Sequence, residues 1–429
     1  MLLLLPLLLP ALPVPPDDWP QWRGPERDGV WREEGVLEAL PERLEARWRV
    51  PVGSGYAAPS VAGELVFVLD RQEEPEEVER VHAFDWRTGE RRWTASYPAT
   101  YAGISYPAGP RCAPLVAGGH VYTLGSVGHL RCLDAGTGEV VWGFDLREDY
   151  GIDQERMPIW GISASPILEG ELLIVPASAK DGACLVAFDA KTGEERWRAL
   201  DDRGNYSAPI VIDQAGQRVL VYWSGDRVVG LDPATGGEHW SVDFPSTRMP
   251  LGVASPVLAG EHLFLSGFYD GSLLLRLDQS ELAAEKVWSR RGQNERSTDA
   301  LHVIIGTPLV LGEHVYGVDS YGELRCLELA SGDRIWEDRT AVPRSRWSTI
   351  HMVQRGEKTW MFNERGELLL AELSPEGFSE LGRVKLIEPT RGQLNRRDGV
   401  CWSHPAFANR HVFLRTDEEL ACFDLSARE

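Results

Sequence analysis

The hydrophobic residues of this chain fall into short alternating runs that recur in a fixed order. A small residue and a proline are followed by apolar residues, a turn residue, and a longer apolar run such as ELVFVLD (64–70) or HLFLSG (262–267). Alternation bounded by turn residues is typical of β-strands. The proline position is occupied eight times, by Pro59, Pro114, Pro166, Pro209, Pro256, Pro308, Met352 and Pro405. Each occurrence predicts the first two strands of a repeating unit.

A second pattern completes most units and ends in tryptophan. In its five tight copies an acidic residue stands eight positions before the tryptophan: AFDWRTGERRW (83–93), CLDAGTGEVVW (132–142), AFDAKTGEERW (187–197), GLDPATGGEHW (230–240) and CLELASGDRIW (326–336). A looser copy, RLDQSELAAEKVW, occupies 276–288. The acid can accept hydrogen bonds from turn amides, and the glycine accepts a positive φ. The pattern therefore predicts a hairpin with the tryptophan on its returning strand.

The spacing of the units predicts how they assemble. Eight units of four short strands, roughly 43–55 residues apart, fit a ring of blades. We therefore predict an all-β, eight-bladed β-propeller of four-stranded antiparallel blades. The proline suits the innermost strand, whose edge lacks a pairing partner. Blade seven lacks the closing tryptophan, and the residues after Pro405 suffice for three strands. We predict that the N-terminal strand LEARWRVPVG (44–53) closes blade eight.

These repeats resemble the pyrroloquinoline quinone (PQQ)-type propeller, whose tryptophan-docking motif is A-x-D-x-x-T-G-x-x-x-W. The resemblance covers about residues 17–425 and is specific for the fold, but it indicates little about function. The family contains PQQ-dependent alcohol and sugar dehydrogenases. It also contains non-enzymatic members, such as the BamB-type outer-membrane assembly factor, and uncharacterised exported proteins. We interpret the repeated tryptophans as packing between blades, namely Trp48, Trp93, Trp142, Trp197, Trp240, Trp288 and Trp336.

The N-terminal residues divide into two predicted parts. The apolar run LLLLPLLLPAL (2–12) predicts a signal peptide over residues 1–16, and hence a periplasmic or extracellular protein. Residues 17–429 then form a single domain. PQQ-type propellers often begin with a D-W-P-x-aromatic segment, which here is Asp18-Trp19-Pro20-Gln21-Trp22. We call residues 17–43 the clasp segment and predict that Trp19 and Trp22 anchor it in a groove of the ring.

Composition and charge exclude several functions. The chain of 429 residues has a net charge of −21, which argues against binding to nucleic acid or to anionic membranes. Its six cysteines form no CxxC motif, so neither a haem nor a metal site is predicted, and buried thiols are the favoured interpretation. No segment approaches the length of a transmembrane helix. We expect a monomer.

A ligand site, if present, is predicted at the mouth of the central channel. The residue three before each proline position should lie there, giving Tyr56, Arg111, Ser163, Tyr206, Val253, Ile305, Thr349 and Trp402. Trp160 and Trp347 stand on neighbouring loops, and His351 and His404 directly precede the proline position in adjacent blades. The mouth suits a flat or peptide-like ligand, or it is filled by solvent. The histidines bind an anion or a metal, or they pack in the core.

The loops after blades five, six and seven are rich in arginine. They hold nine arginines against five carboxylates, and Arg346 and Arg396 are the candidates for binding a carboxylate or phosphate group. Internal ion pairs are the alternative interpretation.

No catalytic residue can be assigned from the sequence. The resemblance implies that an enzyme of this family needs PQQ, usually a calcium ion, and a carboxylate base, and many alcohol-oxidising members carry a vicinal disulfide that this chain lacks. No residue here matches the calcium ligands or the base by motif. We therefore expect an exported, non-catalytic scaffold of the cell envelope without a cofactor, binding a protein, a peptide or a small anion. The alternative is a PQQ-dependent alcohol or sugar dehydrogenase.

Overall fold

Short strands joined by turns make up almost the whole chain in the computed structural model, which describes residues 18–152, 157–394 and 398–427. The predicted signal peptide, residues 1–16, lies outside the described residues. The first strands in chain order are β1 (Ala46–Pro51), β2 (Ser60–Ala62), β3 (Leu65–Gln72), β4 (Val78–Asp85), β5 (Arg91–Pro98), β6 (Leu115–Ala117), β7 (His120–Leu124), β8 (His129–Asp134) and β9 (Val140–Asp145). A single helical turn, α1 (Leu146–Asp149), follows, and Asp145 caps its N-terminus.

The central part of the chain continues the same alternation of strand and turn. Its strands are β10 (Ile167–Glu169), β11 (Leu172–Pro176), β12 (Leu185–Asp189), β13 (Glu195–Ala199), β14 (Ile210–Gln214), β15 (Gln217–Trp223), β16 (Arg227–Leu231), β17 (Glu238–Asp243), β18 (Val257–Ala259), β19 (His262–Gly267), β20 (Gly271–Leu277) and β21 (Ala284–Arg290). The last strands are β22 (Leu309–Leu311), β23 (His314–Val318), β24 (Leu324–Glu328), β25 (Arg334–Asp338), β26 (Ile350–Arg355), β27 (Lys358–Asn363), β28 (Glu367–Ser374), β29 (Gly377–Lys385), β30 (Ala406–Ala408), β31 (His411–Arg415) and β32 (Glu419–Asp424).

These strands form eight four-stranded antiparallel sheets, which confirms the predicted propeller. Blade one is β2 to β5, and the following blades take four consecutive strands each. In blade eight, β30 to β32 are completed by β1, with Trp48 opposite Cys422. The N-terminal strand therefore closes the ring, as predicted. We call the side with the connections between blades the loop face, and the opposite side the turn face.

The repeated tryptophans lie against the turns of neighbouring blades. The Trp93 indole Nε1 donates a hydrogen bond of 2.9 Å to the Ala135 carbonyl in the next blade. Five others donate in the same way to a turn carbonyl of the next blade: Trp48 to Trp86, Trp142 to Ala190, Trp197 to Pro233, Trp288 to Leu329, and Trp336 to Ser374. Except for the turn at Ser374, the acceptor turns carry the acidic residue and glycine of the sequence pattern, so the pattern couples one blade to the next.

The turn glycine adopts a left-handed backbone conformation and leaves room for the tryptophan ring of the preceding blade. Gly138→Ala is expected to disturb both. Gly138 has φ +77, and a Cβ there would lie 2.5 Å from the Trp93 ring. The left-handed backbone costs about 1–2 kcal/mol for a residue with a side chain, and displacing the indole adds to this cost. Gly118→Ala is the control, because Gly118 has φ +58 and no heavy atom within 4 Å of its Cβ position. Urea unfolding should show the larger loss for Gly138→Ala, and equal losses would contradict the packing argument.

Trp240 is the exception among these contacts, because blade five carries the looser copy of the turn. Its indole donates 2.9 Å to the Gln214 side-chain oxygen within its own blade. The Gln214 amide nitrogen then donates to the Asp278 and Ala283 carbonyls of blade five, at 3.1 and 2.7 Å. Gln214 thus bridges Trp240 to the next blade where no turn carbonyl receives the indole directly.

The missing tryptophan of blade seven is replaced by a side chain from the clasp segment. Gly382 occupies the equivalent register position, opposite Leu370. The Cβ of Leu40 lies 3.2 Å from the position that a Cβ on Gly382 would take. Leu40 therefore packs where other blades place an indole.

The clasp segment crosses the turn face and reaches several innermost strands. Trp19 exchanges two backbone hydrogen bonds of 2.9 Å with Val61 in blade one. Trp31 donates 2.8 Å to the Gln354 carbonyl in blade seven, and its ring packs against Trp360 and Phe407. The segment therefore covers the channel at the end opposite the loops.

Candidate functional site

A cavity of about 110 Å³ lies on the axis of the ring, and most of the predicted mouth residues line it. Eight of the ten candidates for ligand contact are among its walls: Tyr56, Arg111, Trp160, Tyr206, Trp347, His351, Trp402 and His404. The repeat explains this convergence, because equivalent positions at the start of each innermost strand all face the axis. Thr349, which was also predicted at the mouth, is not among the lining residues. Its hydroxyl accepts a hydrogen bond of 3.1 Å from the Gly306 amide.

Aromatic rings surround the entrance on the loop face. Tyr106 makes edge contacts with Trp160 and Trp347, with centroids 6.2 and 5.5 Å apart. Trp160 also stacks on Tyr206, with ring centroids 5.2 Å apart. Sequence reasoning missed Tyr106, because it lies in the loop after blade one outside the repeated pattern. The wall that results is apolar and flat-sided.

Arg111 is the single charged residue among the described residues that line the cavity, and its side chain stabilises the neighbouring loop. Its guanidinium donates to the Ser105 and Tyr106 carbonyls at 3.0 and 2.7 Å and lies 4.6 Å from the centre of the Tyr56 ring. The Tyr56 hydroxyl lies between two loop carbonyls, those of Tyr106 at 3.0 Å and Gln393 at 2.9 Å, and can donate its proton to either. Both side chains hold the loops that shape the entrance.

His351 and His404 meet in the floor of the cavity, with ring centroids 4.9 Å apart. His351 Nε2 donates 2.8 Å to the Trp402 carbonyl, and His404 Nδ1 donates 2.6 Å to the Pro405 carbonyl. Burial lowers the pKa of His351 to about 4 and lowers that of His404 well below its ordinary value. Both imidazoles are therefore neutral near pH 7, and their hydrogen-bond donors are already used.

Trp22 of the clasp segment completes the floor from the turn face. Its indole donates 2.9 Å to the Ser255 hydroxyl, and its ring lies 5.2 Å from that of His404. The sequence predicted Trp22 as an anchor, but not as a wall of the cavity. The position of Trp22 depends on the path of the clasp segment across the ring. The spacing of the repeats does not indicate this path.

Arg346, one of the two predicted anion-binding arginines, is not among the residues that line the cavity. Arg346 pairs with both oxygens of Glu295 at 2.7 and 2.9 Å, and its guanidinium lies 4.4 Å from the centre of the Trp347 ring. Arg396 lies outside the described residues. Other arginines of these loops also pair with carboxylates: Arg290 with Asp299, Arg339 with Glu337, and Arg344 with Glu323. This arrangement corresponds to the internal ion pairs considered as the alternative.

The donor set around the cavity does not fit PQQ with a calcium ion. Among the described lining residues there is no carboxylate, so the walls supply neither a charged oxygen ligand for calcium nor a carboxylate base. Elsewhere in the described ranges, no group of three or more His, Cys, Asp or Glu residues could hold a metal ion. The cavity is suited to binding, and we derive no oxidation step from it.

Comparison with known proteins places the chain in a family. The profile described as "Outer membrane protein assembly factor BamB" matches residues 77–338 and 187–426, which together exceed half of the sequence. The chain belongs to this BamB family. The BamB of Burkholderia pseudomallei (strain K96243) is 26% identical over 270 residues, 58% of this chain and 64% of that protein. A quinoprotein ethanol dehydrogenase of Pseudomonas putida is 33% identical over 132 residues, 28% of this chain and 19% of the enzyme.

The aligned regions span less than two thirds of the length of these two relatives. Among solved structures, BamB from Moraxella catarrhalis superposes with a TM-score of 0.57 and 14% identity over 90% of this chain and 99% of that chain. A quinohemoprotein alcohol dehydrogenase from Comamonas testosteroni superposes with a TM-score of 0.64 and 14% identity. The superposition covers 96% of this chain and 81% of that chain. At such identities the likeness is one of fold. In the described part of the chain, no helix has the length and apolar character needed to span a membrane.

Proposed function

We propose that this protein is an exported, non-catalytic scaffold of the cell envelope that assists the assembly of outer-membrane proteins. The observation that carries the proposal is the match of the BamB family profile over residues 77–338 and 187–426. The partner is a protein or peptide that docks on the loop face. Loops carried by a rigid ring are where binding residues concentrate, and here they surround an aromatic cavity without a carboxylate in its described walls.

Site-directed photocrosslinking in cells tests where the partner binds. Ile159 lies on the loop face beside Trp160, and Leu258 lies on the innermost strand of blade five next to the turn at Gly260. Both side chains are 42% exposed, so they form a matched pair. A photoreactive residue at Ile159 should crosslink a protein of the outer-membrane assembly pathway, whereas one at Leu258 should not. Equal crosslinking from both positions, or crosslinking from Leu258 alone, would contradict docking on the loop face.

Two further measurements test the type of function. Deleting the gene should lower the amounts of outer-membrane β-barrel proteins, and unchanged amounts would count against a role in assembly.

Purified protein incubated with PQQ and Ca²⁺ should show neither a bound quinone absorbance nor dye reduction with alcohols or sugars. Stoichiometric quinone binding with dye reduction would favour the dehydrogenase alternative.

A further inference from the structure

Two exposed arginines of the loop face carry no carboxylate partner. Arg248 lies in the connection from blade four to blade five, and Arg296 lies in the connection from blade five to blade six. Neither forms an ion pair among the described residues. Each guanidinium lies over a ring, with Arg248 at 4.9 Å from the centre of Tyr269 and Arg296 at 5.9 Å from that of Tyr321. Stacking holds a guanidinium in place and leaves N–H groups for a carboxylate. We call these four residues the arginine surface.

The carboxylates near the arginine surface are buried or already paired. Glu295 accepts hydrogen bonds from Arg346 at 2.7 and 2.9 Å, and its side chain is 20% exposed. Glu323 is buried and pairs with Arg344 at 2.7 Å, and Asp270 is also buried. Solvent therefore meets mainly guanidinium groups at this surface. In a chain of net charge −21 it is a local positive site, which suits the carboxylates of a partner.

The arginine surface is continuous with the axial cavity through aromatic contacts. Trp347 lines the cavity, its ring centroid lies 6.3 Å from that of Phe268, and Phe268 lies 4.9 Å from Tyr269. An extended chain advances about 3.3 Å per residue, so two to four residues bridge the cavity and the arginines. Met249, next to Arg248 in the chain, is exposed and adds an apolar contact at this border.

The axial cavity determines which side chain anchors such a segment. Its volume of about 110 Å³ is smaller than the cavity of about 150 Å³ that holds benzene, so it suits a branched aliphatic side chain better than an indole. Val253, Ile304 and Ile305 contribute aliphatic walls, and tyrosine and tryptophan rings contribute further apolar surface. Burial of an aliphatic side chain in such surroundings is favourable through the hydrophobic effect.

We infer that the loop face binds an extended segment of a partner protein in which a branched aliphatic residue enters the axial cavity and acidic residues two to four positions away pair with Arg248 and Arg296. This inference rests on the proposed docking of a protein on the loop face, and it adds the chemistry of the segment that docks. The carrying observation is the continuity of an apolar cavity with arginines that lack carboxylate partners in the described chain.

Calorimetric titration of the full protein with synthetic peptides tests the inference. The parent peptide has blocked ends, one leucine, and glutamates two to four positions away on both sides. Replacing the leucine by serine should weaken binding about tenfold or more, because the burial of an aliphatic side chain is lost. Replacing the glutamates by glutamines should weaken it roughly threefold to tenfold, the effect of two exposed ion pairs. No binding of the parent peptide, or equal affinities for the three peptides, would overturn the inference.

Arg248→Gln/Arg296→Gln removes both unpaired charges and should weaken binding of the parent peptide by the same factor, without affecting the glutamine peptide. Arg87→Gln/Arg91→Gln is the matched control. These two arginines are exposed and lie 4.8 and 5.4 Å from the centres of aromatic rings, but they belong to the turn between β4 and β5 on the turn face. The control changes the net charge equally and should bind as the wild type does. Equal weakening in both variants would overturn the inference, because net charge would then govern binding.

Val253→Phe narrows the cavity from its wall and leaves the arginine surface intact. The variant should lose most of the preference for the leucine peptide over the serine peptide, while it keeps the preference for glutamate over glutamine. A full preference for leucine in the folded variant would place the anchor outside the cavity and overturn the inference.

The segment chemistry and the assembly role can fail separately. Peptide binding of this kind, together with unchanged amounts of outer-membrane proteins after deletion of the gene, would contradict the assembly role alone. Crosslinking of an assembly protein from Ile159 without binding of the parent peptide would contradict the segment chemistry alone.

Discussion

Replacing Trp19 by alanine is expected to lower the free energy of unfolding by about 3–5 kcal/mol, the range for removing a fully buried aromatic side chain. The Trp19 side chain is 1% exposed. Its ring makes an edge contact with Phe407 at 6.0 Å and stacks near His404 at 6.5 Å. The substitution therefore opens a void between the clasp segment and blade eight, where β1 closes the ring. Chemical denaturation monitored by circular dichroism measures the loss.

Trp22→Ala serves as the comparison for Trp19→Ala. Trp22 is half-buried and forms part of the cavity floor, so its removal should cost less stability. A near-neutral result for Trp19→Ala would contradict the anchoring role of the clasp segment. It would instead favour a role for the tryptophan-rich clasp segment in recognising a partner.

The fold could be predicted from the sequence because each blade repeats the same local rules. The contact between Trp93 and Gly138 illustrates this, since a glycine with positive φ and a tryptophan eight positions after the acidic residue belong to the same repeated pattern. The exceptions could not be predicted. Gln214 and Leu40 replace repeat contacts beside blades five and seven, which depart from the pattern, and such a replacement depends on packing between segments distant in sequence.

Sequence reasoning could identify only those residues of the candidate site that occupy repeated positions. Equivalent positions before the innermost strands identified Tyr56, Tyr206 and Trp402, because the symmetry of the ring directs them to the axis. Trp22 enters from the opposite face and belongs to no repeat. Arg346 was chosen for its charge, but its partner Glu295 is 51 residues away, and the pairing arises from how two loops fold together.

Acidification is expected to destabilise the propeller through the two histidines beneath the cavity. In the unfolded chain a histidine takes up a proton below a pKa of about 6.5. In the folded protein, burial lowers the pKa of His351 to about 4, and the nearby Arg23 guanidinium adds to this effect. Unfolding is therefore accompanied by proton uptake between pH 6.5 and 4, so the free energy of unfolding falls as the pH falls through this window.

The size of this effect follows from the two pKa values of His351. The difference between about 6.5 and about 4 corresponds to about 3 kcal/mol, present in full above pH 6.5 and absent near pH 4. His404 adds a contribution of the same sign, because burial lowers its pKa as well. Thermal or urea unfolding measured from pH 8 to pH 4.5 should therefore show a steep loss of stability in the wild type.

The variant His351→Gln/His404→Gln separates this effect from that of every other titrating group. Carboxylates such as Asp70, whose pKa is held low by hydrogen bonds from His82 and Arg80 despite burial, are unchanged in the variant and cancel in the comparison. Measurement at pH 8 establishes how much stability the substitutions themselves remove. Between pH 6.5 and 4.5 the variant should lose less stability than the wild type. Parallel pH profiles would show that the two imidazoles are not kept neutral by the fold.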